Sequence, residues 1–439
     1  MKTKLLLFVG FILLCAGAQT AFAREQVLTV DDAVRIALDN NLGLRRAALN
    51  TDTLRRASDR SWNSLLPTVS AGAMVSHPTS ITGAIPPGQD VWTPGFSLSA
   101  GITLSTATVE NIRRAQADYE AGLLSYEAAR RELELNVRRL FYQILLLDAN
   151  RELAYLNLAS AQARYEQSAA LARVGQVPQL DELAARVDME NTRPMVSNAE
   201  IMYENALDAF KAILGLPAET SIRLYGSLAG VVFAGDIIDQ GGRAMGDCLE
   251  TAILRTSIQS MEAQRNVIRN SAYIPSLRLS WNSTPLYVNT PMGRSWNDVN
   301  SSFSIALGLN LDSFLPWSNA RTQMDTLNDH IRSTQIQLND STRNRENRVN
   351  QHTRTIERIL ESREAIALNV ELAQASYEMF GEAYRRGAVD YQRLRSARDG
   401  LEQAKNRLLL EQFNLISAIL DLERELNIPF GTLHHFRGE

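Results

Sequence analysis

Phe96-Ser97-Leu98-Ser99-Ala100-Gly101-Ile102-Thr103-Leu104-Ser105 alternates without a fault between apolar residues and small or polar ones. A strand points successive side chains to opposite faces, so this stretch predicts a strand with one greasy face and one small, uncharged face. The pattern returns at Phe303, Ile305, Leu307, Leu309 and Leu311, set against Ser304, Ala306, Gly308, Asn310 and Asp312. A looser partner precedes each: Val69, Ala71, Ala73 and Val75 before the first, Leu277, Leu279 and Trp281 before the second. Half-buried sheets of soluble proteins show the same alternation. Three further features favour a sheet facing lipid. The strands are near the ~10 residues of a tilted membrane strand, their polar face is largely uncharged, and aromatics such as Trp92, Tyr287 and Trp317 sit near strand ends. On this reading Phe96, Leu98, Ile102, Leu104, Phe303, Ile305, Leu307 and Leu309 face lipid.

Four strands leave two open edges, and unpaired backbone groups cannot face hydrocarbon. Further copies must close them. Three chains would supply about twelve strands, enough for a barrel with a water-filled interior, although backbone accounting alone does not fix the number. Residues 77–94 and 283–301, rich in Pro, Gly, Thr and Asn, are expected to be outward-facing loops. No segment after the first twenty-three residues approaches the ~20 apolar residues of a spanning helix, so any crossing is made by strands.

Outward from the strands, the chain repeats itself. Leu214-Gly215-Leu216-Pro217 matches Leu426-Asn427-Ile428-Pro429, and Gly175 matches Gly387 at the same separation. Leu66-Pro67 and Ile274-Pro275, each just before alternating residues, and Gly101 and Gly308, inside them, lie at nearly that offset. The reading is two homologous halves, 24–217 and 247–429, each running helix, strand, strand, long helix, break, helix. Residues 218–246 form a small mixed connection and 430–439 a disordered tail. Between Gly95 and Val177, and between Trp317 and Ile428, there is no proline, which predicts long helices. From Ile112 through Ala115, Tyr119, Gly122 and Tyr126 to Leu147, apolar or small residues recur at steps of three and four, the seam of a coiled coil. At ~1.5 Å per residue such a helix runs near 100 Å and predicts an elongated molecule. Pro194 falls inside the following helix and predicts a kink or local unwinding.

Residues 1–23 read as an export signal: Lys2 and Lys4, an apolar run from Leu5 to Leu14, and Ala21-Phe22-Ala23 before the cut. Cys15 follows a bulky Leu14, which disfavours lipid attachment. Cys248 is then the one mature cysteine, and an intramolecular disulfide is ruled out. The formal charge is −4, and losing Lys2 and Lys4 makes it more negative, which argues against a nucleic-acid partner.

Val174-Gly175-Gln176-Val177-Pro178, followed by Asp181, Leu183 and Ala185, resembles the periplasmic helix-turn of TolC-like outer-membrane efflux proteins, the outer membrane factors of tripartite efflux or type I secretion systems. Arg386-Gly387-Ala388-Val389-Asp390, followed by Leu394 and Ala397, is similar in the second half. So are the opening Leu28-Thr29-Val30-Asp31-Asp32-Ala33 and the Leu66-Pro67 helix end. The resemblance covers nearly the whole mature chain. It implies a mainly α fold with a small β part: coiled-coil helices forming a periplasmic α-barrel, and four strands per chain entering a 12-stranded β-barrel of a homotrimer. It also implies an outer-membrane location extending into the periplasm, a periplasmic adaptor and an inner-membrane transporter as partners, and Val174, Gly175, Gln176, Val177, Arg386, Gly387, Ala388 and Val389 as adaptor-docking residues. Asp181, Glu182, Asp390 and Arg393 become candidates for the periplasmic aperture. The chain departs from the family in carrying Arg393 and Ser396 where acids are common, so an Arg–carboxylate closure fits better than an acidic ring.

No constellation for catalysis emerges. The histidines, His77, His330, His352, His434 and His435, form no metal-binding helix pair, and no phosphate loop or nucleophile elbow occurs. No cofactor is expected. Two other readings remain at this level: a periplasmic coiled-coil scaffold outside any membrane, and, within the family, a duct for a protein or peptide instead of small compounds.

Overall fold

The computed structural model describes residues 26–77, 92–233, 248–290, 293–297 and 301–436. The export signal, Cys15 and residues 78–91 of the first expected loop lie outside them. In chain order the elements are β1 (Gln26–Leu28), α1 (Val30–Asn40), α2 (Leu42–Asp59), β2 (Thr68–Ser76), β3 (Thr93–Leu104), α3 (Thr106–Arg173), α4 (Gln179–Leu214), β4 (Ile222–Leu224), β5 (Val231–Phe233), α5 (Leu249–Tyr273), β6 (Ser276–Ser283), β7 (Leu286–Thr290), β8 (Gly293–Asn297), β9 (Ser302–Gly308), α6 (Asn319–Arg385), α7 (Tyr391–Leu426) and β10 (His434–Phe436). The fold is mainly helical with a small β part, and it is internally repeated. Helices α4 and α7 are both 36 residues long, while α3 and α6 have 68 and 67. Both α4 and α7 end on a left-handed residue, Gly215 (φ 72°) and Asn427 (φ 59°).

The chain forms two compact units, and each draws on both repeats. The described part of one comprises residues 26–45, 130–233 and 348–436. Its core packs Leu28, Phe141, Phe210, Leu214, Ile356, Ile419 and Leu433, all nearly inaccessible. Burying each such side chain contributes about 1.5–3 kcal/mol. Here β1 pairs in parallel with β4, and β5 pairs antiparallel with β10, so both ends of the described chain are tied to the segment after α4. That overturns the expectation of a disordered tail from residue 430: Leu433 is buried, and the buried carboxylate of Glu423 accepts from the backbone N–H of Gly431 at 3.0 Å and of Leu433 at 2.7 Å. Helix α1 starts on the Thr29 hydroxyl, which accepts from Asp32 N. It stops at Asn41, whose side chain donates to the Ile213 carbonyl at 2.8 Å and accepts from Leu44 N at 3.0 Å. Helix α4 runs unbroken through Pro194, so the expected unwinding is not found. The ring removes one ladder bond, while buried Thr192 and Val196 on either side hold the turn in place.

The other unit comprises described residues from 46–77, 92–129 and 248–347 and contains the main sheet. Strands β2, β3, β6 and β9 pair in that order, all antiparallel. The register aligns the alternation of every strand. Val69 faces Ala100, Ala100 faces Trp281, and Trp281 faces Phe303; Ile102, Leu279 and Ile305 form the next apolar row, and Leu104, Leu277 and Leu307 the one after. The opposite face is small and polar, with Ser70 bonded to Ser99 at 2.6 Å and Ser280 to Ser304 at 2.8 Å.

Two expectations about this sheet are corrected. Residues 283–301, read as a loop, contain the β7–β8 hairpin, which meets β3 at Gly95 and brings Trp296 against Phe96 (5.2 Å between centroids) and Tyr287 (5.4 Å). Strand β9 ends at Gly308, so Leu309 lies just past it and Leu311–Phe314 forms a 3₁₀ turn. Alternation continued in the sequence there, but Asn310, Asp312 and Ser313 favour local turns over a ladder.

Candidate functional site

The two helix-to-helix turns, α3 to α4 and α6 to α7, are built alike. Gly175 has φ 74° and Gly387 φ 71°. In the first, Gly175 N donates to Ala172 O and Gln176 N to Leu171 O; in the second, Gly387 N donates to Tyr384 O and Ala388 N to Ala383 O. This paired bonding closes a helix C-terminus through one left-handed residue, the conformation glycine adopts without a Cβ penalty. Open space surrounds both glycines, so backbone conformation and not crowding selects them. The next helices start from Pro178 (φ −66°) and from Asp390, whose side chain accepts from Arg393 N at 3.0 Å.

The expected docking residues divide at these turns. Val174, Gly175, Gln176, Arg386, Gly387 and Ala388 are exposed. Val177 and Val389 instead lean against a small core of Ala185, Tyr384, Tyr391 and Leu394. Of the aperture candidates, Asp181 and Asp390 come together from different repeats: burial, followed by the charge of Asp390, raises the Asp181 carboxyl above its ordinary value. Glu182 is half-buried and Arg393 is exposed, with its backbone spent on the Asp390 cap.

Beyond the turns lies a charged cluster that sequence reading missed. Asp188 of α4 is buried, and three guanidinium groups converge on it. Arg398 of α7 binds both carboxylate oxygens, its Nη2 donating to Oδ1 at 3.0 Å. Arg164 of α3 and Arg395 of α7 approach to 3.7 Å. The Tyr391 hydroxyl donates to Oδ2 at 3.1 Å, Arg164 donates to the Tyr377 hydroxyl at 3.1 Å, and Ser168 bonds the Tyr384 hydroxyl at 2.8 Å. Burial alone would raise the Asp188 pKa, but the hydrogen bond and charge of Arg398, with Tyr391 and Arg164, hold it below the ordinary carboxylate value. Burial and the Asp188 charge push the Tyr391 phenol up to about 12. A cleft of ≈ 950 Å³ opens beside the cluster, lined by Asp188, Arg395, Arg398, Asp399 and Glu402 among amide side chains. Burial raises Glu402 despite Arg398 nearby. The sequence carries part of the signal, since Asp188 and Arg398 fall on the stripes of Ala185–Thr192 and Leu394–Leu401 where buried residues recur, but their pairing across helices has no local mark.

In the sheet, Phe96, Leu98 and Leu104 of β3 and Phe303, Ile305 and Leu307 of β9 are exposed on the apolar face, Leu307 to 74%, and Ile102 is half-buried beside Leu279. Among the described residues β2 and β9 are each paired on one side only. No helix of the described residues is long and apolar enough to cross a membrane.

Fold and sequence pattern together define a class. Residues 33–216 match the family model described as outer membrane efflux protein, which agrees with the resemblance drawn from the turn motifs. The fold is that of solved outer-membrane channels. The Campylobacter jejuni CmeC outer membrane channel superposes with a TM-score of 0.75 at 16% identity, covering 90% of this chain and 85% of its own. The outer membrane protein VceC of Vibrio cholerae gives 0.72 at 14% identity, covering 91% and 96%. The open state of the Neisseria gonorrhoeae MtrE outer membrane channel gives 0.68 at 16% identity, covering 91% and 89%. No curated protein matches the sequence.

Proposed function

We propose that the protein is an outer-membrane efflux channel that works as a homotrimer, passively conducting substrates delivered by an inner-membrane transporter through a periplasmic adaptor. One observation carries this reading: an apolar face extends unbroken across four strands, and among the described residues of a single chain the two outer strands, β2 and β9, are open. Open edges are untenable in lipid, and copies joined edge to edge remove them. The exposed faces of β3 and β9 then meet lipid and the serine face lines water. A scaffold that never meets a membrane has no use for such a face.

On this reading residues 1–23 direct export and are then removed, and the repeats 24–217 and 247–429, with the connection 218–246, extend into the periplasm. The adaptor engages the exposed turn residues Val174 to Gln176 and Arg386 to Ala388, while Val177 and Val389 hold the turns from behind. Asp181, Glu182, Asp390 and Arg393 border the aperture. The channel performs no chemistry; it removes the hydrocarbon barrier, and the transporter supplies the energy.

The test is single-channel conductance of the mature, detergent-extracted protein in a planar bilayer, with subunit number measured on the same sample. Discrete conductance steps from a trimer are expected. A protein extracted without detergent, monomeric and silent in the bilayer, overturns the proposal.

A further inference from the structure

Two helix faces in the unit that holds the turns are apolar and, among the described residues, uncovered. Along α4, Leu180, Leu183, Val187, Pro194 and Ile201 fall on one line, with steps of three and four and then of whole heptads across Glu190 and Ser197, and all five are exposed, Leu180 to 72%. Along α6, Leu368, Leu372, Ala375 and Met379 form a second such line, also exposed, Met379 to 67%. Steps of three and four trace the seam of a coiled coil, and a seam left open to water is half of an interface.

The two seams fit each other. Leu183 stands as far past Gly175 as Met379 stands before Gly387, and the same holds for Val187 with Ala375 and for Pro194 with Leu368. Two helices running in opposite directions, with their turns level, therefore set each of these pairs in one layer. The flanking charges fit in the same arrangement. Arg186 and Arg193 precede the α4 seam residues Val187 and Pro194, while Glu371 and Glu378 precede Leu372 and Met379 on α6, and all four are exposed. With turns level, Arg186 lies about 3 Å along the axis from Glu378, and Arg193 the same from Glu371, at ~1.5 Å per residue. Opposite charges at such flanking positions set partner and register.

We infer that α4 of one copy packs antiparallel on α6 of the next, with Leu183 against Met379, Val187 against Ala375, and Arg186 and Arg193 against Glu378 and Glu371. The two faces differ, so the contact is head-to-tail, the kind that forms a ring when its rotation closes, as a duct requires. This rests on the oligomeric reading above and names the surface that closes the ring at the turns.

The test uses the full mature chain with Cys248→Ser and paired cysteines, Leu183→Cys with Met379→Cys or Val187→Cys with Ala375→Cys, bridged by a short bis-maleimide in the absence of other proteins. Covalent dimers and trimers are expected from either pair. Each single variant, and the mismatched pair Leu183→Cys with Leu368→Cys, is expected to remain monomeric on a denaturing gel. A trimer by mass that yields no ladder from either matched pair overturns the seam while leaving the trimer standing. A monomer by mass overturns both.

Discussion

Arg398 closes on Asp188 from the other repeat: its Nη2 donates to Oδ1 at 3.0 Å across 210 residues of sequence, and its Nη1 binds the second oxygen. The contact ties α7 to α4 just behind the turns. Three guanidinium groups share this one carboxylate, so the cluster depends on Asp188 more than on any single arginine. Removing one partner of a buried pair costs about 3–5 kcal/mol, because the other charge stays desolvated. Asp188→Ala is therefore expected to lower the thermal midpoint of the purified protein well beyond Arg395→Ala, whose guanidinium is 42% exposed. Equal midpoints for the two variants would remove Asp188 from this central role.

The same carboxylate sets a pH dependence. Folding lowers the Asp188 pKa, so its contribution is complete above the unfolded value of about 3.9 and is lost as pH falls through the lower folded value. The stability gap between wild type and Asp188→Asn should be flat near neutrality and close below about pH 4. Urea melts at several pH values measure it; a gap that persists unchanged to pH 2 contradicts the assignment.

Tyr391 titrates in the opposite sense. Its phenol is held protonated up to about 12 in the fold, against about 10 when unfolded. Its contribution is present below pH 10 and is lost as pH rises through about 12. The ultraviolet difference titration between wild type and Tyr391→Phe should show one phenol ionising near 12. A single phenol missing near pH 10 in the variant would place Tyr391 in solvent.

What the sequence disclosed follows from how locally each feature is encoded. Strand alternation maps side chains to faces with no knowledge of partners, so Phe96 to Leu104 and Phe303 to Leu307 were legible residue by residue. The repeat was legible because Gly175 and Gly387, and Gly215 and Asn427, each mark a left-handed turn that few residues adopt. The end of β9 was not, because Leu309 and Leu311 keep the alternation while Asn310 and Asp312 turn the chain. Nor was the order of residues 430–436, whose partners are Val231–Phe233 and Glu423. The Asp188 cluster needed the knowledge that α4 faces α7, which no local pattern supplies.

Gly215 tests the repeat at one backbone position. Its φ is 72°, and a Cβ there would come within 2.7 Å of the Asn40 carbonyl oxygen. Gly215→Ala therefore combines the left-handed cost of about 1–2 kcal/mol with a backbone clash. Asn427→Ala, at the equivalent position, meets the left-handed cost and loses the side-chain bond from Arg131. The first variant is expected to melt at the lower temperature, and the reverse order by circular dichroism would show that the C-terminal end of α1 yields freely to a side chain at position 215.

The turns allow a finer separation of folding from function. No atom lies near a Cβ at Gly175 or Gly387, so replacement strains only the backbone. Asparagine tolerates the left-handed region and valine does not. On the proposed channel reading, Gly387→Asn should preserve trimers and efflux, while Gly387→Val preserves trimers yet lowers efflux by distorting the exposed tip. Normal transport of the channel's substrate in cells carrying the valine variant would remove this turn from the transport mechanism.

The apolar face of the sheet gives the sharpest contrast within one strand. Ile305 lies in β9, on the row with Leu279 and Ile102, whereas Leu309 lies past the strand end. An acidic side chain at mid-membrane depth costs at or below about 2–4 kcal/mol, and the cost falls toward zero near the interface. Leu98→Asp in the middle of β3 and Ile305→Asp in the middle of β9 should therefore reduce the heat-resistant oligomer recovered from outer membranes, while Leu309→Asp leaves most of it intact. Quantifying the oligomer on unheated gels decides the matter. If all three aspartates are tolerated equally, the greasy face of the sheet does not meet lipid, and the membrane reading of these strands falls with it.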